Sequence, residues 1–280
     1  MTMSKKISWT GERLETTIFD ETTIEHLHRY AFAIELIKEK KVLDIACGDG
    51  YGSNLMAKEA NEVYGIDIDS KTINEAKVKY QKKNLSFVEG SIENIQLPAA
   101  TFEAVVCFET IEHIDNHDKA ISEIKKILKP DGVLIISTPE KGNYTDKPGN
   151  RNPFHKKELT ESEFVDLLKK YFEFISVSHQ NFLSTSIITQ QPTGNFKYYE
   201  GNFNEIVPSE KIEALYLIAV CSDKKIKSPP SSLFITKSIF EKALSAREDQ
   251  VRSTISYKIG HALLLPFKLI RYLLNKSPVK

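Results

Sequence analysis

Val42-Leu-Asp-Ile-Ala-Cys-Gly-Asp-Gly-Tyr-Gly52 is the stretch whose reading decides the fold: a short apolar run ends in three alternating glycines, and a helix-forming segment follows. Glycine lacks a Cβ, so it lets a strand turn tightly into a helix and lets backbone approach a ligand where a side chain would collide. The helix N-terminus behind such a turn favours a negative group, a carboxylate for example. The spacing is G-x-G-x-G, whereas the nicotinamide fingerprint is G-x-G-x-x-G, and this chain has Ser53 at its third glycine position. No Gly-Lys-Ser/Thr follows, which excludes a phosphate-cradling P-loop. A turn of this kind can also be a plain connection, so the next strand matters. It ends Gly65-Ile-Asp67, about twenty residues on, where a carboxylate is placed to accept both ribose hydroxyls of a bound nucleoside. Alone, Asp67 could instead cap the next helix.

Outward from this centre, short β-branched runs alternate with helical patterns. Val42–Ala46, Val63–Asp67, Leu85–Val88, Val105–Phe108 and Val133–Ser137 read as buried strands, and Ser53–Ala60, Ser70–Lys82 and His117–Leu128 as helices. Ser70 reads as an N-cap. The third helix stops at Lys129-Pro130-Asp131-Gly132. This alternation implies right-handed βαβ crossovers: an α/β fold with a mostly parallel sheet and helices on both faces. A further helix, Thr160–Lys170, leads into strand Phe172–Val177, and Ala214–Cys221 completes seven strands as a closing hairpin. The expected organisation is an N-terminal lid in 1–40, built on an amphipathic helix Thr22–Lys38, and the α/β domain in 41–222 with an insertion at 181–206. A Lys/Ser/Pro-rich linker (223–236) and a helical tail (237–280) follow.

With 41% apolar residues the chain can bury a good core, and 38 basic residues against 38 acidic ones set up no field towards nucleic acid, so none is expected as a partner. The three cysteines, Cys47, Cys107 and Cys221, are far apart and odd in number, which suits a reducing cytosol rather than a disulfide framework or zinc knuckle. Met1–Trp9 is polar, so no secretory signal is expected, and the predicted location is cytoplasmic.

These motifs resemble those of class I S-adenosylmethionine-dependent methyltransferases of the type 11/23 kind. Val42–Gly52 resembles their glycine motif, Tyr64-Gly-Ile-Asp67 their acidic second strand, and Phe87-Val-Glu-Gly-Ser-Ile-Glu93 their adenine-contacting turn. Phe102–Glu109 and Leu128–Pro139 match the fourth and fifth strand regions, so the similarity runs from about residue 25 to 222. The resemblance implies a Rossmann-like seven-stranded sheet and S-adenosylmethionine, with cofactor contacts at Asp44, Gly48, Gly50, Asp67, Ser91, Ile92 and Phe108. Ser91 is a departure, because many members carry an acid there for the adenine amino group. Arg13, Arg29 and Tyr30 are candidates to meet the methionine carboxylate, since a buried carboxylate needs charge-assisted donors. His26 and His28 read as packing or surface residues.

Glu109-Thr-Ile-Glu112-His113 follows the fourth strand, at the carboxyl edge where α/β sheets bind ligands. Coiled as one helical turn, it would put Glu109 beside Glu112 and His113, at i+3 and i+4. With His155 from Asn152-Pro-Phe-His155, these residues are a candidate site for Mg²⁺ or Mn²⁺. The set resembles the metal site of small-RNA terminal 2′-O-methyltransferases, and quinone-pathway O-methyltransferases have a similar segment. Two other readings stay open: His113, with Glu112, as a metal-free general base, and a structural role in which the glutamate fixes a loop.

Trp9-Thr-Gly-Glu-Arg13 with His26-Leu-His-Arg-Tyr30 resembles a subgroup found among bacterial surface-polysaccharide biosynthesis proteins. After Asp249 there is no acidic residue, while Arg252, Lys258, Lys268, Arg271, Lys276 and Lys280 alternate with apolar ones. That pattern over 252–275 suits an amphipathic helix lying on a membrane at the inner face of the cytoplasmic membrane; docking on a partner or packing on its own core are the alternatives. The expected activity is methylation of a sugar hydroxyl on a small-molecule or lipid-linked glycan acceptor. A quinone or other small aromatic acceptor is the second enzymatic reading, and a non-catalytic cofactor-binding scaffold the third.

Overall fold

A computed structural model describes residues 21–149, 151–183, 198–201, 206–209, 213–227 and 229–275. Helix α1 (Glu21–Ile37) precedes the sheet. Then come β1 (Lys41–Ile45), α2 (Tyr51–Met56), β2 (Glu62–Asp67), α3 (Ser70–Lys79), β3 (Leu85–Glu89), β4 (Phe102–Cys107), α4 (His117–Ile127) and β5 (Leu128–Pro139). After α5 (Glu161–Lys169) and β6 (Phe174–Gln180), the short strands β7 (Tyr198–Gly201) and β8 (Ile206–Ser209) pair with each other, and β9 (Tyr216–Ser222) returns to the main sheet. Two helices, α6 (Lys237–Ser253) and α7 (Ile255–Asn275), follow.

The seven-stranded sheet has the order β3-β2-β1-β4-β5-β9-β6. β1 to β5 pair in parallel, and β9 runs antiparallel to both β5 and β6, so the expected closing hairpin is present. Because side chains alternate along a strand, β1 feeds two cores. Leu43 and Ile45 face α4 and α5 through Ile121, Ile124, Phe164 and Leu168. Val42, with Val63 and Val106, faces α1, α2 and α3 through Ala33, Met56 and Ile73. The strand order reverses beside β1, between loops leading to opposite faces, and this opens a crevice at the carboxyl ends of β1, β2 and β4.

Several local expectations are corrected. The N-cap of α3 is Asp69 rather than Ser70: its carboxylate accepts from the amides of Lys71 and Thr72, and Ser70 is already helical. Helix α2 spans Tyr51–Met56 rather than Ser53–Ala60, because residues after it leave the helix in tight turns bonded to Ser53, Leu55 and Met56 carbonyls. Strand β5 starts at Leu128, ahead of the Lys-Pro-Asp-Gly punctuation expected to stop the helix, and β5 itself carries the surplus residues where its pairing with β4 shifts from Phe102–Leu128 to Ala104–Val133. Arg13 and most of the 181–206 insertion lie outside the described residues. Among those described, no helix is long and apolar enough to cross a membrane.

Candidate active site

The glycine turn divides its labour. Ala46, Gly48 and Gly50 all have positive φ (56°, 54° and 83°), a region that L side chains enter at a cost. A Cβ on Gly48 would point into open space, so this glycine presents bare backbone to the crevice. A Cβ on Gly50 would lie 2.6 Å from the Phe87 ring, and one on Gly52 1.9 Å from the Tyr30 ring. Gly50 was expected to face a ligand; what crowds its α-carbon is an aromatic ring of β3. Gly52 lets α1 close over the turn.

Asp67 faces the same opening. Its Oδ2 accepts the Gly48 amide at 3.0 Å and its Oδ1 the Asp69 amide at 2.9 Å. A carboxylate held by two backbone donors is oriented and keeps lone pairs for further hydroxyls. Beyond it lies a cavity of about 530 Å³, lined by Ile66, Ile68, Val88, Gly90, Ser91 and Asn94 among others. Ile68 is 72% exposed, an apolar residue offered to a site rather than buried in a core. The Gly90–Ser91 turn is tied down by the Gly90 amide on the Asp67 carbonyl and by Ser91 Oγ accepting the Glu93 amide. Ile92 and Phe108, both expected at the cofactor, are instead core side chains: Ile92 packs with Ile95 and α4, and Phe108 meets the Tyr30 ring edge at 5.3 Å. Asp44 also sits behind the turn rather than at its surface. It accepts from Ser53 Oγ at 2.5 Å and Tyr30 OH at 3.5 Å, and burial lifts its carboxyl to about 7.

Arg29 on α1 lies next to the turn that follows β4, through Glu109. It is 1% exposed; Nη1 donates to Gln180 Oε1 at 2.7 Å, and the guanidinium lies over the Tyr216 ring at 4.7 Å. Glu109 is its nearest carboxylate in an ion pair, at 3.9 Å. Nε and Nη2 have no hydrogen-bond partner among the described residues. Buried donors of a cation left unmet are costly, and the fork they form matches a carboxylate. Beside it, burial pushes the Glu25 carboxyl up to about 7, opposed by Arg29 and a bond to Tyr216. His26 bonds Tyr51 OH at 3.0 Å and His28 bonds Ser232 Oγ at 2.8 Å, both packing roles.

At the end of β4 the structure brings together three of the four expected residues. Ligand atoms of Glu112, His113 and His155 all lie within 4.8 Å of one another. Glu109 is not among them. Its φ is +46°, its amide donates to Ser137 Oγ and its Oε1 accepts from that hydroxyl at 2.6 Å, so it turns towards Arg29 and the helical turn starts only at Ile111. Glu112 is buried and accepts from Thr138 Oγ1 at 3.2 Å; burial, then the neighbouring Glu109 charge, raises its carboxyl well above the usual range. His113 Nδ1 lies 3.2 Å from the Phe154 carbonyl, which can only accept. That bond assigns the proton to Nδ1 and leaves Nε2 as the basic nitrogen, 3.9 Å from Glu112 Oε1. His155 Nδ1 lies 2.6 Å from Glu158 Oε1, its Nε2 2.9 Å from the Asn152 amide nitrogen, and its ring stacks on Tyr144. The loop that carries it is fastened to this turn, with the Lys156 and Lys157 amides both donating to the Glu112 carbonyl.

Sequence reading placed Glu25 on the first helix without giving it a role and did not mark Gln180, Tyr144 or Tyr216, whose contacts with Arg29 and His155 come from the fold. Ile68 carried a usable signal, an apolar residue directly after the strand-ending acid.

Residues 43–136 match the family model of a methyltransferase domain, a span that takes in the glycine turn, Asp67, Ser91 and Glu109–His113 but not His155. The chain is 33% identical over 165 residues to a "Probable S-adenosylmethionine-dependent methyltransferase" of Mycolicibacterium smegmatis, covering 57% of this chain and 63% of that one. It is 35% identical over 106 residues to a "Ubiquinone biosynthesis O-methyltransferase" of Actinobacillus pleuropneumoniae, covering 35% and 45%. The chain thus spans less than two thirds of the length of these curated relatives. A Thermotoga maritima structure described as a "SAM-dependent methyltransferase, possible histamine N-methyltransferase" is similar with a TM-score of 0.53 at 19% identity, over 72% of this chain and 92% of that one. That likeness establishes the fold.

Proposed function

We propose that this chain is an S-adenosylmethionine-dependent O-methyltransferase, with the crevice between Gly48, Asp67 and Arg29 as its cofactor site. The observation that carries the reading is a matched pair of receptors. Asp67 and the neighbouring cavity, with Ile66, Ile68 and Val88 beside Ser91 and Asn94, suit a nucleoside, and the Nε and Nη2 donors of Arg29, unmet among the described residues, suit an amino-acid carboxylate. S-adenosylmethionine has both ends and, bound, supplies an electrophilic methyl group on a sulfonium. The residues around it bind, align and desolvate; they need not activate the methyl, and alignment alone supplies several kcal/mol.

The acceptor does need help. An alcohol must lose its proton as it attacks, and His113 Nε2, at the end of β4, is the base the geometry supports. The Phe154 carbonyl fixes its tautomer, and Glu112 Oε1 lies 3.9 Å from Nε2. The acceptor we assign is a sugar hydroxyl of a lipid-linked glycan, on the strength of the N-terminal motifs and the basic tail. A phenolic acceptor of quinone synthesis is the second reading, favoured by the 35% identity to the O-methyltransferase of Actinobacillus pleuropneumoniae.

Glu112, His113 and His155 also fit part of a site for Mg²⁺ or Mn²⁺, which would lower the pKa of an acceptor hydroxyl. Against a full set, Glu109 turns to Arg29 and His155 Nε2 receives the Asn152 amide. Transfer of a labelled methyl group to glycan and catechol acceptors, with and without EDTA, tests these readings together. The expected result is EDTA-resistant transfer to oxygen that falls about 100-fold in His113→Asn. Loss of transfer with EDTA would establish the metal, and cofactor binding without transfer to any acceptor would leave a scaffold.

A further inference from the structure

We infer that α7 is an interfacial helix that seats the chain on an anionic lipid surface. It begins afresh at Ile255, after the backbone extends at Thr254 and that hydroxyl accepts the Tyr257 amide. From there Ile255, Ile259, Leu263 and Phe267 follow one another at intervals of four, which places them along one stripe of the helix. All four are exposed, Ile255 at 76% and Phe267 at 69%. Four large apolar side chains in a continuous row on the outside of a chain call for something to cover them.

Charge says what covers them. No acidic residue occurs after Asp249, while Arg252, Lys258, Lys268 and Arg271 are present through the helix and the turn before it. Projected at 3.6 residues per turn, the positions of Lys258, His261 and Lys268 fall on the side away from the row, and Arg271 closes the row at its C-terminal end. A long apolar stripe on a helix whose charged residues are all basic is a pattern that lies flat in a membrane interface, with acyl chains below and anionic headgroups around the lysines. A spanning arrangement does not suit it: no described helix is long and apolar enough, and Pro266, Lys268 and Arg271 interrupt the apolar run. A protein partner would have to present an acidic rim around an apolar groove, and a second copy of this tail carries the same positive charge. The root of the tail is fastened near the candidate site, through Ser232 and the Phe234 ring on His28 of α1. The inference does not depend on methyl transfer.

Flotation of the full chain with vesicles tests it, using phosphatidylcholine alone and phosphatidylcholine with about a third phosphatidylglycerol. The chain is expected to float with the anionic vesicles only, and to be released by salt. Leu263→Glu/Phe267→Glu should cut the bound fraction about tenfold or more, since the apolar contact is lost. Both side chains are exposed, so its melting temperature should match that of the parent chain. Failure of the parent chain to float with anionic vesicles, or equal flotation of the double variant, overturns the assignment. So does a concentration-dependent dimer in gel filtration that the double variant abolishes while no vesicle binding is seen; α7 would then pair with a second copy.

Discussion

Arg29 holds a charge that the surrounding fold only partly answers. Gln180 takes one of its nitrogens, Glu109 lies 3.9 Å from the same nitrogen and Tyr216 covers one face of its plane, while Nε and Nη2 are unmet among the described residues. A residue kept for folding would not be left in this state, because burying an incompletely paired cation costs stability. Arg29→Met is therefore expected to weaken S-adenosylhomocysteine binding about 30-fold or more in calorimetry. Unchanged affinity would remove Arg29 from the site. Glu25 gives a pH signature. Its carboxyl keeps a proton up to about 7 in the folded chain, against 4.5 ordinarily. The unfolded chain therefore releases that proton first, and Glu25 costs stability progressively as pH rises from about 4.5 to 7, then no more. Denaturant unfolding of Glu25→Gln should show its stability relative to the parent rising across that window, by on the order of 2 kcal/mol. A difference that stays flat with pH would contradict the burial argument. Arg29 was legible from its place in a His-Arg-Tyr run, but Glu25 was not, since helical spacing does not reveal which glutamate a neighbouring strand will cover.

At the scale of elements, the turn after β1 separates ligand from packing. Gly48→Ala adds a methyl group to open space and only asks an L residue to keep φ at 54°, a cost of about 1–2 kcal/mol. Gly52→Ala has no such φ requirement but drives its methyl into the Tyr30 ring, so α1 must shift. Gly48→Ala should lose cofactor affinity with a small fall in melting temperature. Gly52→Ala should melt markedly lower, with Tyr30→Ala partly restoring it; the reverse ranking of stabilities would show that the turn has been misread. This element was legible in type and position, but not in which glycine serves which purpose, because G-x-G-x-G says nothing of the rings stacked beneath it. The same limit applies after β4. Glu109, Glu112 and His113 have helical spacing, yet Ser137 of β5 holds Glu109 at both its amide and its carboxylate. A contact 28 residues away decided a local conformation.

At the scale of the molecule, alternating strands and helices were enough to anticipate a parallel sheet with a hairpin at its end, because each short β-branched run is long enough for one strand and each amphipathic run covers one face. What the pattern could not order is the edge. β9 enters between β5 and β6, and the long connection before it carries its own two-stranded ladder. The sheet then gathers at one end the residues that matter: Gly48 from β1, Asp67 from β2, the Ser91 turn from β3 and His113 from β4, with Arg29 brought down by α1. The account stands on that gathering being a receptor for a nucleoside joined to an amino acid. Isothermal titration of the purified chain with S-adenosylhomocysteine is the direct measurement. The parent chain should bind at one site and Asp67→Ala should lose about 100-fold in affinity, the weight of two charge-assisted hydrogen bonds. No heat of binding to the folded parent chain, or equal binding by Asp67→Ala, would contradict it.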